Sequence, residues 1–141
     1  MNFEKSLKFI MNSALVAAKP RGKFINLPQK PKGKLIVLGA GKAAASMAKE
    51  FENTYDGLLE GLVITRYGHY TKTKFIKIIE ASHPEPDKNG LLASKKIFDL
   101  ATQSSKDDHV VFLISGGASS LLTLPAKGVS FEEKKRINKE L

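Results

Sequence analysis

The stretch Lys34-Leu35-Ile36-Val37-Leu38-Gly39-Ala40-Gly41-Lys42-Ala43-Ala44 decides the fold. Lys34 to Leu38 is a short apolar run of the kind that forms a buried strand. Gly39, Ala40 and Gly41 supply a tight turn, and the Ala-rich run from Lys42 to Phe51 reads as a helix. Outward from this unit the same alternation repeats. Gly61 to Thr65 predicts a second strand and Phe75 to Glu80 a third. Asp87 is placed to cap a helix that runs to about Thr102, because its side chain can accept a hydrogen bond from an unpaired helix N–H. His109 to Ile114 predicts a fourth strand, the most apolar and by expectation the most buried. The strand runs are apolar throughout rather than alternating, as in strands covered on both faces. The pattern predicts an α/β fold with a mainly parallel sheet and helices on both faces.

Ahead of this unit, Phe3, Leu7, Ile10, Ala14 and Leu15 recur at helical spacing, so Phe3 to Ala18 reads as an amphipathic helix that Pro20 ends. Lys19 to Gly33 contains three prolines and reads as a connector. Near the other end, Ser130 and Glu133 have the spacing of a capping box and announce a helix at Phe131. That helix has only about three turns, which is marginal unless it packs on something.

The 141 residues suit one domain, and 42% hydrophobic content is enough for a packed core. No stretch approaches the roughly 20 apolar residues that span a bilayer, so no membrane association is expected. Glu4, Lys5 and Lys8 interrupt any apolar leader, so no secretory signal is expected. Without cysteine there are no disulfides or thiolate metal sites, which fits a cytoplasmic protein. The net charge of +9 invites a nucleic-acid reading. The lysines are dispersed, however, and no aromatic residues interleave with them as stacking platforms, so no nucleic-acid partner is expected. A basic surface of this kind either is simply solvated or draws in anionic ligands.

Three sets of loop residues carry candidate chemistry, and each follows a strand. The first is Gly39 to Ala44. Glycines allow backbone to approach a ligand closely, and the helix that follows offers unpaired N–H groups and a positive dipole end to phosphate. Gly39, Gly41 and Ala44 fit the loose dinucleotide pattern G-x-G-x-x-[GA], but the second strand ends in Thr65-Arg66 with no acid to bind a ribose. That argues against NAD and leaves NADP open through Arg66. A P-loop is absent, because Ile36 and Ala43 stand where it needs Gly and Ser or Thr. Lys42 at a helix entry opposes the dipole unless an anion joins it or its head swings into water.

The second set is Ser115-Gly116-Gly117-Ala118-Ser119-Ser120, which is either a phosphate cradle or an ordinary strand-to-helix turn. A hydrolase elbow would need Gly at 121, where Leu121 stands. The third set comprises Arg66-Tyr67-Gly68-His69 and the segment from Ala81 to Asp87, including His83. His69 and His83 are too few for a metal site, and His109, at the start of a strand, belongs at the opposite edge. In a parallel sheet the loops after the strands share one edge, so both Gly-rich loops are expected to face a single crevice.

Four segments occur in order: Leu38 to Ala44, Thr65 to His69, His83-Pro84 through Pro86-Asp87, and Ile114 to Gly117 through Leu122. Together they resemble the amino-terminal domain of the glycerate 2-kinases whose carboxyl-terminal region is called MOFRL, some members of which carry the label hydroxypyruvate reductase. The resemblance covers nearly the whole chain from Phe3. It implies a Rossmann-like fold, ATP, a divalent cation such as Mg²⁺, D-glycerate as acceptor and 2-phosphoglycerate as product. It also implies a cleft closed by a second domain, without which this domain is expected to be inactive, and it leaves a homodimer open. It places a catalytic role on Lys42. Nucleotide or substrate contacts would fall on Gly39, Gly41, Arg66, His69, His83, Ser115, Gly116, Gly117, Ser119 and Ser120. Ala118 departs from the resemblance, since a third Gly is frequent there. Two other readings compete: an NADP-linked reductase of the hydroxypyruvate type and a non-enzymatic fragment of a split gene.

Overall fold

The computed structural model describes residues 2–140. Its elements are α1 (Phe3–Ala18), β1 (Leu35–Ala40), α2 (Ala44–Thr54), β2 (Leu59–Arg66), β3 (Ile76–Ala81), α3 (Lys88–Thr102), β4 (His109–Ile114), α4 (Ala118–Leu121) and α5 (Phe131–Glu140). The four strands form one sheet in the order β3-β2-β1-β4, with every pairing parallel. The predicted α/β architecture is therefore present.

Alternation along β1 divides the core in two. Leu35 and Val37 point toward α2 and pack with Ala44, Ala48, Phe51 and Tyr55. Ile36, Leu38 and Ala40 point the other way and pack with Ala93 and Ile97 of α3 and Leu121 of α4. Phe24, from the connector, meets the Phe51 ring edge-on at 5.3 Å between centroids, which seals the outer side of α2. Helices thus cover both faces, and β1 is buried at all six positions.

Several boundaries differ from the sequence reading, each for a local reason. Gly39 and Ala40 belong to β1, paired with Val63 and Ile64 on one side and with Leu113 and Ile114 on the other. The turn is therefore Gly41-Lys42-Ala43, and α2 starts at Ala44, because the backbone N–H groups of Lys42 and Ala43 bond across to the loop after β4. β4 is apolar but is not the most buried strand. It lies at the sheet edge, where Phe112 and Ile114 are about half exposed. Apolarity signals a strand meant to be covered, and it does not say what covers it.

Caps follow the sequence closely. Asp87 accepts the Gly90 N–H at 2.8 Å. Ser130 and Glu133 exchange the two capping-box bonds, at 2.7 and 3.1 Å. α1 forms as expected from its periodicity, capped by Asn2, but none of its residues is buried. Glu52, on α2, ties two elements together: its carboxylate accepts the N–H groups of Lys74, Phe75 and Ile76 at 2.7, 2.9 and 3.2 Å at the start of β3.

Candidate functional site

Because all strands run the same way, the loops after β1, β2, β3 and β4 emerge at one edge. The loops after β1 and β4 are joined directly. Lys42 N–H donates to the Gly116 carbonyl at 2.9 Å, and Ala43 N–H donates to Ser115 Oγ at 3.0 Å. Gly41 makes this junction possible. Its φ is +136°, and a Cβ there would lie 2.1 Å from Ser115 Oγ and 2.6 Å from the Ser115 carbonyl. Thr65, fully buried at the end of β2, donates its hydroxyl to the Gly41 carbonyl at 3.1 Å and fixes the turn from the other side.

The side chains of Lys42 and His83 close around the glycine pair. A Cβ on Gly116 would be 3.7 Å from Lys42 Cε. One on Gly117 would be 3.4 Å from Lys42 Cγ and 2.5 Å from His83 Nε2. Gly117 also has φ +85°, the left-handed region that favours glycine, so two independent constraints act on it. His83 precedes a cis proline, Pro84. Lys42, His83, Gly116 and Gly117 are therefore one cluster, as the shared edge predicts.

His69 joins the cluster in a supporting position. Its Nδ1 is 2.9 Å from the Lys42 carbonyl. A carbonyl oxygen can only accept, so Nδ1 carries the proton and the ring orientation is set by the loop it supports. The turn bearing His69 is held in turn by Glu80, whose Oε1 accepts the N–H groups of His69 and Tyr70, both at 3.2 Å. Beside it, Tyr67 OH donates to Asp87 Oδ2 at 2.7 Å and accepts from Asn89 Nδ2 at 2.8 Å. The bond to Asp87 leads the causes that hold the Tyr67 phenol above the usual tyrosine value, because losing its proton would place two negative oxygens together. This network ties the loop after β2 to the entry of α3.

The remaining candidates divide. Arg66 is exposed at the carboxyl end of β2 and, among the described residues, makes no ion pair. Gly39 lies inside β1, where a Cβ would meet the Leu113 carbonyl at 2.4 Å, so it serves close strand packing. Ser115 Oγ accepts the Ala43 N–H, which leaves its own O–H as a donor. Ser119 is exposed on the first turn of α4, whereas Ser120 is buried and donates to the Gly117 carbonyl at 3.3 Å. His109 sits at the opposite edge, its N–H on the Lys34 carbonyl. A hollow of about 250 Å³ lined by Leu35, Leu58 and Leu59 also lies at that opposite edge, away from these loops.

Sequence reasoning left Thr65, Glu80 and Asn89 out of the candidate set. Thr65 had one visible signal, a lone hydroxyl in an apolar strand. Among the described residues no three His, Asp or Glu side chains group as metal ligands, and no helix is long and apolar enough to cross a membrane. The edge offers cations, backbone donors and imidazoles, while its carboxylates are engaged elsewhere: Glu80 and Asp87 in the bonds just described, and Glu85 with Lys139 Nζ at 3.6 Å. That balance suits a phosphate or carboxylate ligand.

Comparison with known proteins places the chain. Residues 3–141 match the model of DUF4147, a domain of unknown function. A protein of Agrobacterium vitis named as a hydroxypyruvate reductase is 42% identical over 96% of this chain and 31% of its own length. The glycerate 2-kinase of Pyrococcus horikoshii is 41% identical over 74% of this chain and 23% of its own. A crystal structure of a protein from Pyrococcus horikoshii OT3 superposes with a TM-score of 0.78 at 33% identity, covering 94% of this chain and 33% of that one. The chain thus spans about a quarter to a third of the relatives it matches. It belongs to the DUF4147 domain family, the amino-terminal region of proteins that include the glycerate 2-kinases.

Proposed function

We propose that this domain forms one wall of the active site of a cytoplasmic glycerate 2-kinase, which moves the γ-phosphoryl group of ATP onto the 2-hydroxyl of D-glycerate. The observation that carries the reading is the cluster of Lys42 and His83 around Gly116 and Gly117 at the carboxyl edge of a parallel sheet. In the reaction a bond forms between the glycerate oxygen and Pγ, the bond from Pγ to the β-bridging oxygen breaks, the hydroxyl's proton is released to solvent, and ADP leaves with the electron pair of the broken bond. Such a transfer needs positioning and cationic stabilisation of the phosphoryl oxygens more than covalent chemistry. Lys42 supplies a mobile cation, and the glycine loop lets a ligand approach the backbone. His69, itself held by Glu80, and Thr65 hold the Lys42 turn in place so that little reorganisation is needed when charge develops.

The donor set fits the phosphates. For Mg²⁺, which would neutralise phosphate charge, the described residues hold no ready group of carboxylates. In this reading it travels with ATP and draws protein ligands from outside this domain. The second wall of the cleft likewise belongs to a further domain, so the 141-residue chain is expected to be inactive alone.

The test is an ADP-release assay with D-glycerate, ATP and Mg²⁺ on three proteins. They are the chain itself, a fusion in which it replaces the matched segment of the Pyrococcus horikoshii relative, and that fusion with Lys42→Ala. Turnover is expected only in the unsubstituted fusion, with Lys42→Ala lower by about 100-fold or more, the loss typical of removing one preorganised electrostatic donor. Unchanged turnover after Lys42→Ala would refute the role of Lys42. The exposed Arg66 and the reductase name of one relative keep an NADP-linked activity as the second reading. Quenching or enhancement of NADPH fluorescence by the fusion, abolished by Arg66→Ala, would favour it.

A further inference from the structure

The connector between α1 and β1 carries Lys19, Arg21, Lys23, Lys30, Lys32 and Lys34 and no acidic residue. Its two halves differ. In the second half Lys30 meets Asp56 at 3.2 Å and Lys34 meets Glu60 at 2.9 Å. In the first half Lys19, Arg21 and Lys23 make no ion pair among the described residues. Unpaired surface cations cost little in water, so charge alone does not mark a site.

The backbone of the first half is pinned. Lys23 N–H donates to the Pro20 carbonyl at 3.0 Å and closes a turn. Gly22, in the left-handed region at φ +67°, donates its N–H to Glu50 Oε1 of α2 at 2.8 Å. Phe24 then packs on Phe51 of the same helix. The turn holds Arg21 beside a hollow of about 300 Å³. The connector lines this hollow with Lys19 and Arg21, α2 with Ser46, Lys49 and Glu50, and the loop after β2 with Thr71. Three cations thus stand there against one carboxylate. Glu50 already accepts the Gly22 N–H, and Lys49 lies 3.8 Å from Glu52, which leaves Lys19 and Arg21 without a counter-charge. Ser46 is on the first turn of α2, where the helix dipole adds positive potential. Thr71 follows the turn whose His69 meets the Lys42 carbonyl, so the hollow lies on the flank of the Lys42 cluster.

We propose that this hollow is a second phosphate-binding site, in which Arg21 and Lys19 hold a phosphate group of a nucleotide and Thr71 adds a hydroxyl donor. A guanidinium presents its N–H groups as a fork that matches phosphate oxygens, and a phosphate supplies the negative charge that the lining lacks. The pinned turn spares binding the cost of ordering the backbone that carries Arg21. The proposal goes beyond the kinase reading and does not need it, since the site is tested by binding to this chain without turnover.

The test is a titration of the 141-residue chain with pyrophosphate, ATP and adenosine at constant ionic strength, followed by amide chemical shifts. Pyrophosphate and ATP should both move the amides of Arg21, Gly22, Ser46 and Thr71, and adenosine should not. Arg21→Gln and Lys19→Gln should each weaken binding at these amides about tenfold, the order of one charged hydrogen bond. Arg21→Lys should recover part of the loss, because the charge returns without the fork. Both side chains are exposed, so the melting temperature should stay within about 2 °C. Lys42→Ala should leave the affinity read at these four amides within about twofold. Three results would each overturn the proposal. One is shifts confined to the Lys42 and Gly116 loops. Another is an equal loss on Lys32→Gln, which would mean a diffuse basic surface. The third is a response to adenosine that matches the response to ATP, which would mean that the base and not the phosphate is held.

Discussion

Replacing Glu52 should unfasten the third strand from the second helix, and the size and pH dependence of the loss can be worked out. The carboxylate is 2% exposed and receives three backbone N–H groups, from Lys74, Phe75 and Ile76, with Lys49 Nζ 3.8 Å away. A hydrogen bond to a charged acceptor is worth roughly 1.5–3 kcal/mol when the donor would otherwise stay dry. Lys74 and Phe75 are exposed and can be rehydrated, whereas Ile76 is buried, so the losses do not add fully. Glu52→Ala should therefore cost about 3 kcal/mol and Glu52→Gln, which keeps one acceptor oxygen but adds an NH₂ facing the donors, about 2. For a domain of this size about 3 kcal/mol corresponds to a melting temperature lower by about 10 °C. Burial pushes the Glu52 carboxyl up, but the three N–H groups, Phe75 first, and Lys49 outweigh it and hold the carboxyl below its ordinary 4.5. A carboxyl depressed in the folded state stabilises above its unfolded pKa, and that contribution is lost as pH falls through the folded value. The gap between wild type and Glu52→Gln should thus be widest at neutral pH and shrink below about pH 4. Urea unfolding from pH 7 to pH 3 measures it. A gap that stays constant over this range, or no gap at pH 7, would refute the reasoning.

Further expectations concern the loop edge. Gly117→Ala forces a side chain into a left-handed position and against His83, so it should destabilise by about 1–2 kcal/mol and shift the His83 ring resonances. Unchanged His83 signals would contradict the packing. Asp87→Asn should bring the Tyr67 phenol back down toward the usual range in an ultraviolet titration, since the bond to Asp87 is the leading cause of its rise. Glu80→Ala should speed amide exchange at His69 and Tyr70, and Glu80→Gln should largely restore it because an acceptor oxygen remains.

Much of the fold was legible because apolar runs, glycines and caps act locally. Asp87 and the Ser130–Glu133 pair cap helices as their spacing requires, and four apolar runs became four parallel strands. The convergence of the two glycine loops followed from one topological rule, without knowledge of any contact. What sequence could not show was which polar groups support the loops. Ser115 and His69, both candidate ligand contacts, each also place a polar atom on the backbone of the Lys42 turn. Glu52 and Glu80 were given no role by the sequence reading, yet each gathers backbone N–H groups from a segment distant in sequence. Long-range side-chain to backbone bonds leave no periodic trace, so pattern reading passes over them. The burial of β4 was misjudged for the converse reason: composition reports how apolar a strand is, while coverage depends on neighbours.

These supports bear on how the proposed wall of an active site is held ready. The Lys42 turn is held from four directions, by Gly116, Ser115, Thr65 and His69, none of which needs a ligand or a second domain to be in place. The backbone is therefore fixed while the Lys42 ammonium, exposed and unpaired among the described residues, remains free to meet an anion. Fixing the backbone in advance spares the binding step the entropy of ordering several residues, roughly 1–2 kcal/mol each. A free lysine head costs little to leave in water and gains most when the site is closed and dried. On the function proposed above, closure by a second domain would not have to shape the Lys42 loop. It would have only to exclude water and bring the opposing groups, so the loop geometry should be the same in this chain alone and in the proposed fusion.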